Sequence, residues 1–500
     1  MRFSAAQSAA AMHGGGFCPL FKSFGRFKMK ILYAAGEAAP FIKVGGLGDV
    51  AGALPQALRA MGHDIRVVIP MYSAIGAMRE KCRYITHFYI NNSWRKQYCG
   101  IFEYKAQDLT YYLIDNEFYF NRPNVYGEFD DGERVAFFSR AVLEILPVID
   151  FFPDILHCND WHTAIIPVLL DCQYRSRPGY GMIKTLFTIH NIEFQGKFDA
   201  YILGNVFGLP EDKLPLLYYG DCINLVKGAI ECSDRVNTVS PTYAGEILNE
   251  RYAFGLEHIL RARQFKLSGI VNGIDTESYN PQTDSALKVN YSVATRNLKY
   301  HNKFALQEEL RLQKRNDVPL IGMVTRLTHQ KGMDIVCRRL EWLMTLDIQF
   351  VVLGSGDYGY ERWLSDTAAA HQDKMRAVIG FDSVLARKIY AGADFFLMPS
   401  EYEPCGLAQL ISMRYGTVPI VRKTGGLADT VFPFNPQTGE GNGINFEQFD
   451  DNDMANAIWR ATELYRDKKQ FSAVKKNAMS GDYGWNKSAG LYEQLYQSII

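Results

Sequence analysis

The sequence lacks the features that mark several classes of protein. Its nine cysteines form neither a C-x-x-C pair nor a cysteine and histidine cluster at zinc spacing, so neither a disulfide framework nor a zinc site is indicated. No apolar run approaches the roughly 18 residues that cross a bilayer. Lys plus Arg equal Asp plus Glu at 54 each, which favours no polyanion partner. We therefore expect a cytoplasmic protein with no membrane or nucleic-acid partner.

The first 28 residues also lack acidic side chains, and they are rich in Ala, Ser, Gly and Phe. This composition is compatible with a short organelle-targeting peptide, which would direct the protein to a plastid. The alternative is a disordered tail or a start codon assigned too far upstream, because Met29-Lys30-Ile31-Leu32-Tyr33 begins a first strand directly. We favour this alternative and treat residues 1–28 as an extension.

What the sequence does contain is a regular alternation of apolar strands and helices. A length of 500 residues suggests two or three domains. Residues 30–35 and 65–69 read as strands around a helix at 50–61, and a second series of strands and helices begins after Ser268. Such alternation predicts an α/β protein with two parallel, doubly wound sheets. Ligands of such sheets bind in the crevice at the carboxyl ends of the strands.

Two glycine-rich turns share the pattern K-x-G-G-L-x-D, at 43–49 and at 423–429. Glycines at the start of a helix let backbone N–H groups approach an oxyanion, and the helix dipole favours negative charge there. The candidate anion-binding residues are therefore Lys43, Gly45, Gly46, Thr424, Gly425 and Gly426. The alternative is a flexible loop with a surface lysine, or a shared way of entering a helix.

A third glycine-rich segment, at 354–359, matches G-x-G-x-x-G and raises the alternative of a dinucleotide-binding oxidoreductase. No acidic residue follows at the end of the next strand, where a ribose would be held, since that strand leads into Gly380-Phe381. We therefore interpret the segment as a strand-to-helix turn beside a nucleotide site.

Candidate catalytic residues of the second half follow predicted strands. Arg326 and Lys331 lie in the loop after the strand 320–325, where two cations suit a diphosphate and stabilise the negative charge that develops on it. Glu403 follows the strand at 395–399 and is able to accept hydrogen bonds from sugar hydroxyls. Its neighbours Cys405, Gly406 and Leu407 open a helix. The alternatives are surface cations that cap a loop, and a carboxylate that only complements a helix dipole.

Asp160 and His190 are the candidates of the first half, since each follows a strand and is placed to orient a sugar or an acceptor hydroxyl. A buried histidine with a purely structural role is the alternative for His190. Metal dependence has little support: Asp451-Asn452-Asp453 is a D-x-D, but it directly precedes a predicted helix from about Met454, and capping explains it. We expect no metal and no cofactor.

These residues occur in motifs that resemble one known family. The motifs are Lys43 to Asp49, Cys158-Asn159-Asp160-Trp161-His162-Thr163, Ser240-Pro241-Thr242-Tyr243, Val271-Asn272-Gly273-Ile274-Asp275, Arg326 to Gly332, Glu403-Pro404-Cys405-Gly406-Leu407 and Tyr483-Gly484-Trp485-Asn486-Lys487-Ser488. In this order, from Met29 to the end, they look like bacterial glycogen synthases and plant starch synthases.

The resemblance implies the GT-B fold, with two Rossmann-like domains that face a central cleft. The first domain, on the glucan side, would span 29–266, and the second, on the donor side, 267–480. A final helix in 481–500 would cross back to the first domain. The resemblance also implies transfer of glucose from ADP-glucose to the non-reducing 4-hydroxyl of an α-1,4-glucan, such as glycogen or starch, with retention of the anomeric configuration.

The resemblance also suggests a role for each residue. Lys43, Arg326 and Lys331 would hold the donor diphosphate, and Glu403 the glucosyl hydroxyls. Asp160, His190 and Asn272 would line the glucose and acceptor pocket. No residue is an obvious covalent nucleophile, which fits the same-face mechanism proposed for the family. A departure from the family pattern is Phe381, which stands near the base where a tyrosine is expected.

Two alternatives to this function remain open. One is another GT-B glucosyltransferase that uses UDP-glucose or a different acceptor, since diphosphate-binding groups do not report the base. The other is a non-catalytic glucan-binding homologue, in which some of Lys43, Arg326, Lys331 and Glu403 should have been lost. All four are present.

Overall fold

The computed structural model describes residues 28–106 and 108–500, and it contains two α/β lobes. The extension predicted for residues 1–28 therefore lies, apart from Lys28, outside the described residues. None of the helices described is both long and apolar enough to span a bilayer.

The first lobe is built from strands connected mostly by helices. Its strands are β1 (Lys30–Ala34), β2 (Asp64–Pro70), β3 (Arg83–Asn92), β4 (Arg95–Ala106), β5 (Leu109–Asp115), β6 (Ile155–Asn159), β7 (Lys184–Ile189), β8 (Lys197–Phe198), β9 (Tyr218–Tyr219), β10 (Cys222–Asn224), β11 (Arg235–Thr238) and β12 (Leu267–Gly269). Its helices are α1 (Gly46–Ala60), α2 (Glu117–Phe120), α3 (Asp131–Val148), α4 (Ile165–Leu169), α5 (Ile202–Asn205), α6 (Leu214–Leu217), α7 (Leu225–Cys232), α8 (Pro241–Glu246), α9 (Glu250–Ala253) and α10 (Glu257–Ala262).

The main sheet of the first lobe has the order β12-β11-β7-β6-β1-β2-β5-β4-β3. Strands β12 to β5 of this order pair in parallel, and β4 and β3 add an antiparallel edge. The central strands are apolar runs with both faces buried, which is typical of a parallel sheet covered on two sides. One face packs on a cluster that includes α3, and the other on a cluster that includes α1.

The second lobe repeats the plan with a smaller sheet. Its strands are β13 (Leu320–Val324), β14 (Gln349–Gly354), β15 (Met375–Ile379), β16 (Phe395–Met398), β17 (Val418–Arg422) and β18 (Ile444–Phe446). Its helices are α11 (Lys299–Glu309), α12 (Met333–Thr345), α13 (Tyr358–Ala370), α14 (Ser383–Gly392), α15 (Ala408–Arg414), α16 (Gly425–Thr430), α17 (Asp451–Arg466) and α18 (Lys468–Met479), and a last helix, α19 (Trp485–Gln497), follows.

The order of the second sheet, β15-β14-β13-β16-β17-β18, is parallel throughout. In both lobes the chain adds strands first on one side of the first strand of the series and later on its other side, so the two neighbours of that strand come from opposite directions of winding. These are β2 and β6 on either side of β1, and β14 and β16 on either side of β13. At such a switch point the loops diverge and leave a crevice for a ligand. The two doubly wound sheets predicted from sequence are confirmed.

The chain passes between the lobes twice, at 270–274 and again at 483–485. The predicted boundary at residue 266 falls just before β12, which still belongs to the first sheet, so the first lobe continues to about Ile270. The two passages contact each other, because Ile274 N donates to Tyr483 O at 2.8 Å. A Cβ atom on Gly273 would lie 2.8 Å from the backbone of Gly484.

After the second passage, helix α19 packs on the first lobe. Its side chains Trp485, Ala489, Tyr492 and Tyr496 join the apolar cluster of α1. Tyr496 OH lies 2.8 Å from His157 Nδ1, and Asn237 Nδ2 donates to Tyr492 OH at 3.0 Å. These contacts fix the end of the chain to the sheet of the first lobe.

Candidate active site

A cavity of about 210 Å³ lies at the switch point of the second lobe, between the carboxyl ends of β13 and β16. It is lined by Met323, Val324, Thr325, Arg326, Lys331, Leu397, Met398, Ser400, Glu403, Gly406, Leu407 and Ala408. The structure therefore brings together five residues that the sequence singled out: Arg326, Lys331, Glu403, Gly406 and Leu407.

Lys331 and Glu403 form the polar centre of this cavity. Lys331 Nζ donates to both carboxylate oxygens of Glu403, at 2.9 and 2.7 Å, and Ser400 Oγ donates to the same carboxylate at 2.9 Å. The side chains are only 15% and 7% exposed, so the pair is largely out of water. A pair of this kind is costly to separate but offers directed hydrogen bonds to a ligand that can share them.

Gly332 allows the lysine to reach this position. Its φ of +78° is in the left-handed region, and a Cβ atom there would overlap the carbonyl oxygen of Pro399 at the end of β16. Only a glycine permits this close approach of the two loops, which places Lys331 beside Glu403.

Arg326 is the exposed cation of the cavity. Its guanidinium donates to Gln330 Oε1 at 3.1 Å and is otherwise directed at solvent in the part of the chain that the structure describes. Its loop is held by the G-x-G-x-x-G segment: Leu327 N donates to Ser355 O at 2.9 Å, and side chains at Gly354 or Gly356 would overlap the carbonyls of Thr325 and Leu327. These glycines therefore serve backbone packing beside the cavity, as the strand-to-helix interpretation predicted.

The loop that carries Glu403 is also fixed by the passage between the lobes. Cys405 is buried, and its sulfur accepts a hydrogen bond from Asn272 N at 3.4 Å. Burial raises the pKa of the Cys405 thiol to about 12, so the thiol stays protonated at neutral pH. Asn272 is itself buried, and its side-chain oxygen has no hydrogen-bond partner within the described chain.

In the first lobe, Asp160 and His190 meet at the carboxyl ends of β6 and β7. Asp160 adopts a positive φ of 55°, and its carboxylate accepts from the backbone N–H of His190 at 2.7 Å. Burial raises the pKa of Asp160 to about 7 and lowers the pKa of His190 to about 3. At neutral pH His190 is therefore neutral and Asp160 is only partly ionised, unlike the cations Arg326 and Lys331 of the second lobe.

The tautomer of His190 follows from its neighbours. Asn159 Nδ2 donates to Ala34 O at 3.0 Å, so Asn159 Oδ1 is the acceptor that faces His190 Nε2, also at 3.0 Å. His190 Nε2 therefore carries the proton, and Nδ1 is left as an acceptor.

Beside Asp160 lie two polar residues that the sequence analysis did not select, His162 of the same motif and Tyr126. His162 stacks on Tyr126 with ring centroids 4.2 Å apart, and both line a small cavity of about 20 Å³. Neither ring nitrogen of His162 nor the hydroxyl of Tyr126 has a partner among the described residues. Burial lowers the pKa of His162 to about 3. The signal for His162 was its place in the Asp160-Trp161-His162 motif, but Tyr126 had none.

The first glycine-rich turn holds a carboxylate of its own lobe, which sequence reasoning missed. Glu37 accepts hydrogen bonds from the N–H groups of Val44, Gly45 and Gly48 at 2.5 to 3.2 Å. The N–H group of Gly45 is thus occupied within the molecule, while Gly46 begins helix α1 with no side-chain cap. Lys43 is half-exposed, pairs with Asp49 at 2.8 Å, and does not line the cavity of the second lobe.

The second glycine-rich turn is occupied as well, by a carboxylate of the opposite lobe. Glu246 accepts from Thr424 Oγ1 at 2.9 Å and from Gly425 N at 3.0 Å, and Gly426 N donates to Glu403 O. Thr424, Gly425 and Gly426 are buried and lie behind the cavity, not on its lining. In this structure the donors Thr424 Oγ1, Gly425 N and Gly426 N therefore have protein acceptors.

The D-x-D segment lies inside α17 and not before it, since the helix begins at Asp451. The N-cap is Asp450, whose carboxylate accepts from Asn452 N and Asp453 N. Asp451 pairs with Arg339 at 2.6 Å, and Asp453 accepts from Glu447 N and Gln448 N. Both carboxylates thus have structural partners. Within the described chain, no group of three or more His, Cys, Asp or Glu residues is placed to hold a metal ion.

Comparison with known proteins finds a different family model in each lobe. Residues 30–262 match the starch synthase catalytic domain, and residues 307–478 match glycosyl transferases group 1. The glycogen synthase of Geobacillus thermodenitrificans is 49% identical over 476 residues, which cover 94% of this chain and 98% of that protein. The glycogen synthase of Clostridium perfringens is 48% identical over 479 residues, with 95% and 99% coverage.

Solved structures agree with these sequence relatives. The catalytic domain of starch synthase IV from Arabidopsis thaliana, bound to ADP and acarbose, superposes with a TM-score of 0.88 at 36% identity and covers 94% of this chain and 99% of its own. A sucrose-phosphate synthase from Thermosynechococcus elongatus shares only the fold, with a TM-score of 0.58 at 18% identity. The architecture is the GT-B fold, and the chain belongs to the family of bacterial glycogen synthases and plant starch synthases.

Proposed function

We propose that this glycosyltransferase lengthens an α-1,4-glucan by transferring glucose from ADP-glucose to the non-reducing 4-hydroxyl, with retention of configuration. The observation that carries the proposal is the cavity at the second switch point, where Arg326, Lys331 and Glu403 converge. This combination of two cations and one carboxylate suits a sugar diphosphate, whose two halves differ in charge.

The cations act on the leaving group. As the bond between the anomeric carbon and the diphosphate breaks, negative charge accumulates on the phosphate oxygens, and fixed positive groups stabilise it. Lys331 is already held in place by Glu403, so its orientation costs little when the donor arrives. Exposed Arg326 supplies the second charge.

Glu403 is assigned to the sugar. Its carboxylate is held by Lys331 and Ser400 and lies on the same cavity as the cations, so it can accept hydrogen bonds from glucosyl hydroxyls while its charge remains neutralised. Gly406 and Leu407 complete the wall of the cavity.

Asp160 and His190 are assigned to the acceptor side. Asp160 fixes the backbone after β7, and a neutral His190 offers a hydrogen-bond acceptor at Nδ1. The family's same-face route needs no covalent nucleophile, because the leaving phosphate takes the proton of the attacking hydroxyl. The protein then has to position the two substrates and exclude water.

Lys43 is assigned to the diphosphate from the first lobe. It lies outside the cavity in this conformation and pairs with Asp49, so its contribution requires the lobes to approach each other and the lysine to leave Asp49. Gly46, at the start of α1, would then offer its N–H group to the same anion.

The donor base is the least constrained part of the proposal, because Phe381 is 91% exposed at the end of β15 and has no base-specific hydrogen bond to offer. Purified protein incubated with glycogen and labelled ADP-glucose or UDP-glucose tests the donor directly. We expect ADP-glucose to label α-1,4-linked polymer much faster than UDP-glucose. Preference for UDP-glucose would favour the alternative donor, and failure of both labels would refute the proposed activity.

We also place the reaction in the cytoplasm, since the cysteines in the described part of the chain are free thiols. Fractionation of the source cells, with the protein detected by antibody, tests this assignment. Recovery from a plastid or an extracellular fraction would contradict it.

A further inference from the structure

Glu246, at the end of α8 in the first lobe, reaches across to the second lobe. Its Oε1 atom accepts two hydrogen bonds there, from Thr424 Oγ1 at 2.9 Å and from Gly425 N at 3.0 Å. Its other oxygen is buried without a partner among the described residues. Loss of this contact is costly, because the two buried donors of the glycine turn would then have no hydrogen-bond acceptor.

The far side of the same turn supports the loop of Glu403. Gly426 N donates to the carbonyl oxygens of Glu403 and Pro404, at 3.0 and 3.2 Å. Side chains at Gly425 or Gly426 would overlap the carbonyls of Glu403 and Cys405, so the two backbones are in direct contact. A displacement of the turn therefore displaces the backbone that carries the Glu403 carboxylate.

A second contact between the same helices keeps the two lobes in register. Asp429 in α16 accepts from Thr242 Oγ1 at 2.6 Å and from Thr242 N at 3.1 Å, and it also bonds Ser240 Oγ. The first lobe thus contacts α16 at both ends. Glu246 binds the start of the helix, and Ser240 and Thr242 bind Asp429 near its end.

We propose that Glu246 is a positioning residue, through which the first lobe sets the place of Glu403 in the donor cavity by way of the turn 424–426. The inference rests on the proposed function, in which Glu403 binds the glucosyl group. It assigns the second glycine-rich turn to alignment between the lobes and not to an anion.

Kinetics of three variants test the inference. Glu246→Ala removes both hydrogen bonds, Glu246→Gln keeps an acceptor oxygen, and Glu250→Ala removes an exposed carboxylate of the neighbouring helix. We expect Glu246→Ala to lower kcat/KM for the donor by about tenfold to a hundredfold, since small displacements of a binding group have effects of this size. The KM for glucan should stay unchanged, Glu246→Gln should recover most of the loss, and Glu250→Ala should equal the wild type.

Equal kinetics for Glu246→Ala and the wild type would overturn the inference and leave the proposed function intact. The inference would fail equally if Glu246→Ala raised the donor affinity, because Glu246 would then compete with the donor for the turn. A loss that glutamine does not recover would also contradict it, since the acceptor oxygen is the feature that carries the argument.

Hydrogen exchange gives a readout that does not depend on glucose transfer. In the full-length Glu246→Ala variant we expect amides in 403–407 and 424–427 to exchange about fivefold faster than in the wild type, with amides of β13 and β14 unchanged. Thr424→Val, which removes the hydroxyl donor alone, should accelerate the same peptides less. Unaltered exchange in 403–407 would overturn the inference whether or not the wild type makes glucan.

Discussion

The two lobes present different chemistry to the cleft. The second lobe brings charged groups together at its switch point, where Arg326 and the Lys331–Glu403 pair line one cavity. The first lobe presents groups whose charge is suppressed by burial, with the pKa of Asp160 raised to about 7 and that of His190 lowered to about 3. Under the proposed function, the second lobe supplies the fixed charges beside the donor, whereas Asp160 and His190 of the first lobe act mainly through hydrogen bonds.

The largest effect should come from removing a charge of the second lobe. We expect Lys331→Ala and Glu403→Ala each to lower kcat by at least about a hundredfold, because each removes a fixed group that the proposed function places against the donor. Initial rates of glucose incorporation at saturating glucan measure the loss. Lys388→Ala is a matched control, since Lys388 pairs with Glu309 at 2.8 Å on the surface of the same lobe. Near-normal rates in either cavity variant would remove the distinction between the lobes.

The next effect concerns the suppressed charge of Asp160. Its folded-state pKa is raised from 3.8 to about 7, so its contribution to stability is present at low pH and is lost as the pH rises towards 7. Asp160→Asn cannot ionise, and its free energy of unfolding relative to the wild type should increase by about 2–4 kcal/mol between about pH 4 and about pH 8.

Urea unfolding at a series of pH values measures this difference for Asp160→Asn. Asp108→Asn, which changes an exposed carboxyl in the same lobe, should show no such trend. A difference between Asp160→Asn and the wild type that stays constant with pH would show that folding does not raise the pKa of Asp160, and it would break the comparison.

A smaller effect should distinguish the lysines of the two glycine-rich turns. Lys43 is assigned to the donor, whereas its counterpart Lys423 is exposed and pairs with Glu447 at 3.5 Å. We expect Lys43→Ala to lower kcat/KM for the donor by about tenfold and Lys423→Ala by less than about twofold. Equal losses, measured at subsaturating donor, would mean that the repeated pattern has the same role in both lobes.

The smallest effect is a change of shape. If Lys43 completes a site whose other cations lie in the opposite lobe, the lobes must approach each other when the donor site is filled. Small-angle scattering with ADP and a maltooligosaccharide should show a radius of gyration a few per cent below that of the free protein. An unchanged radius would confine donor binding to the second lobe.

Much of the fold followed from local signals. The central strands are short apolar runs, and each of these runs predicts a strand without information from the rest of the chain. The convergence of Arg326, Lys331 and Glu403 was also predictable, because each follows a parallel strand and the carboxyl ends of such strands share one edge. Strand β12 was missed because Leu267-Ser268-Gly269 is too short to show a period.

The occupants of the glycine-rich turns were not predictable. Glu37 is close to its turn in sequence, but Glu246 lies 178 residues before Thr424, to which it is bonded. A glycine turn reports only that N–H groups are available, and a carboxylate of the protein satisfies them as well as a phosphate does. Which of the two is present depends on long-range packing, and a single sequence does not display it.

The contact of Gly273 with Gly484 has a mechanical consequence. Both covalent links between the lobes run through this one place. The two backbones are so close there that a Cβ atom on Gly273 would lie 2.8 Å from the backbone of Gly484. We expect such a joint to permit torsion and so to act as a pivot between the lobes. We expect the lobes to rotate about this joint, with displacements that grow with distance from the two glycines. Helix α19 should move with the first lobe as one rigid unit.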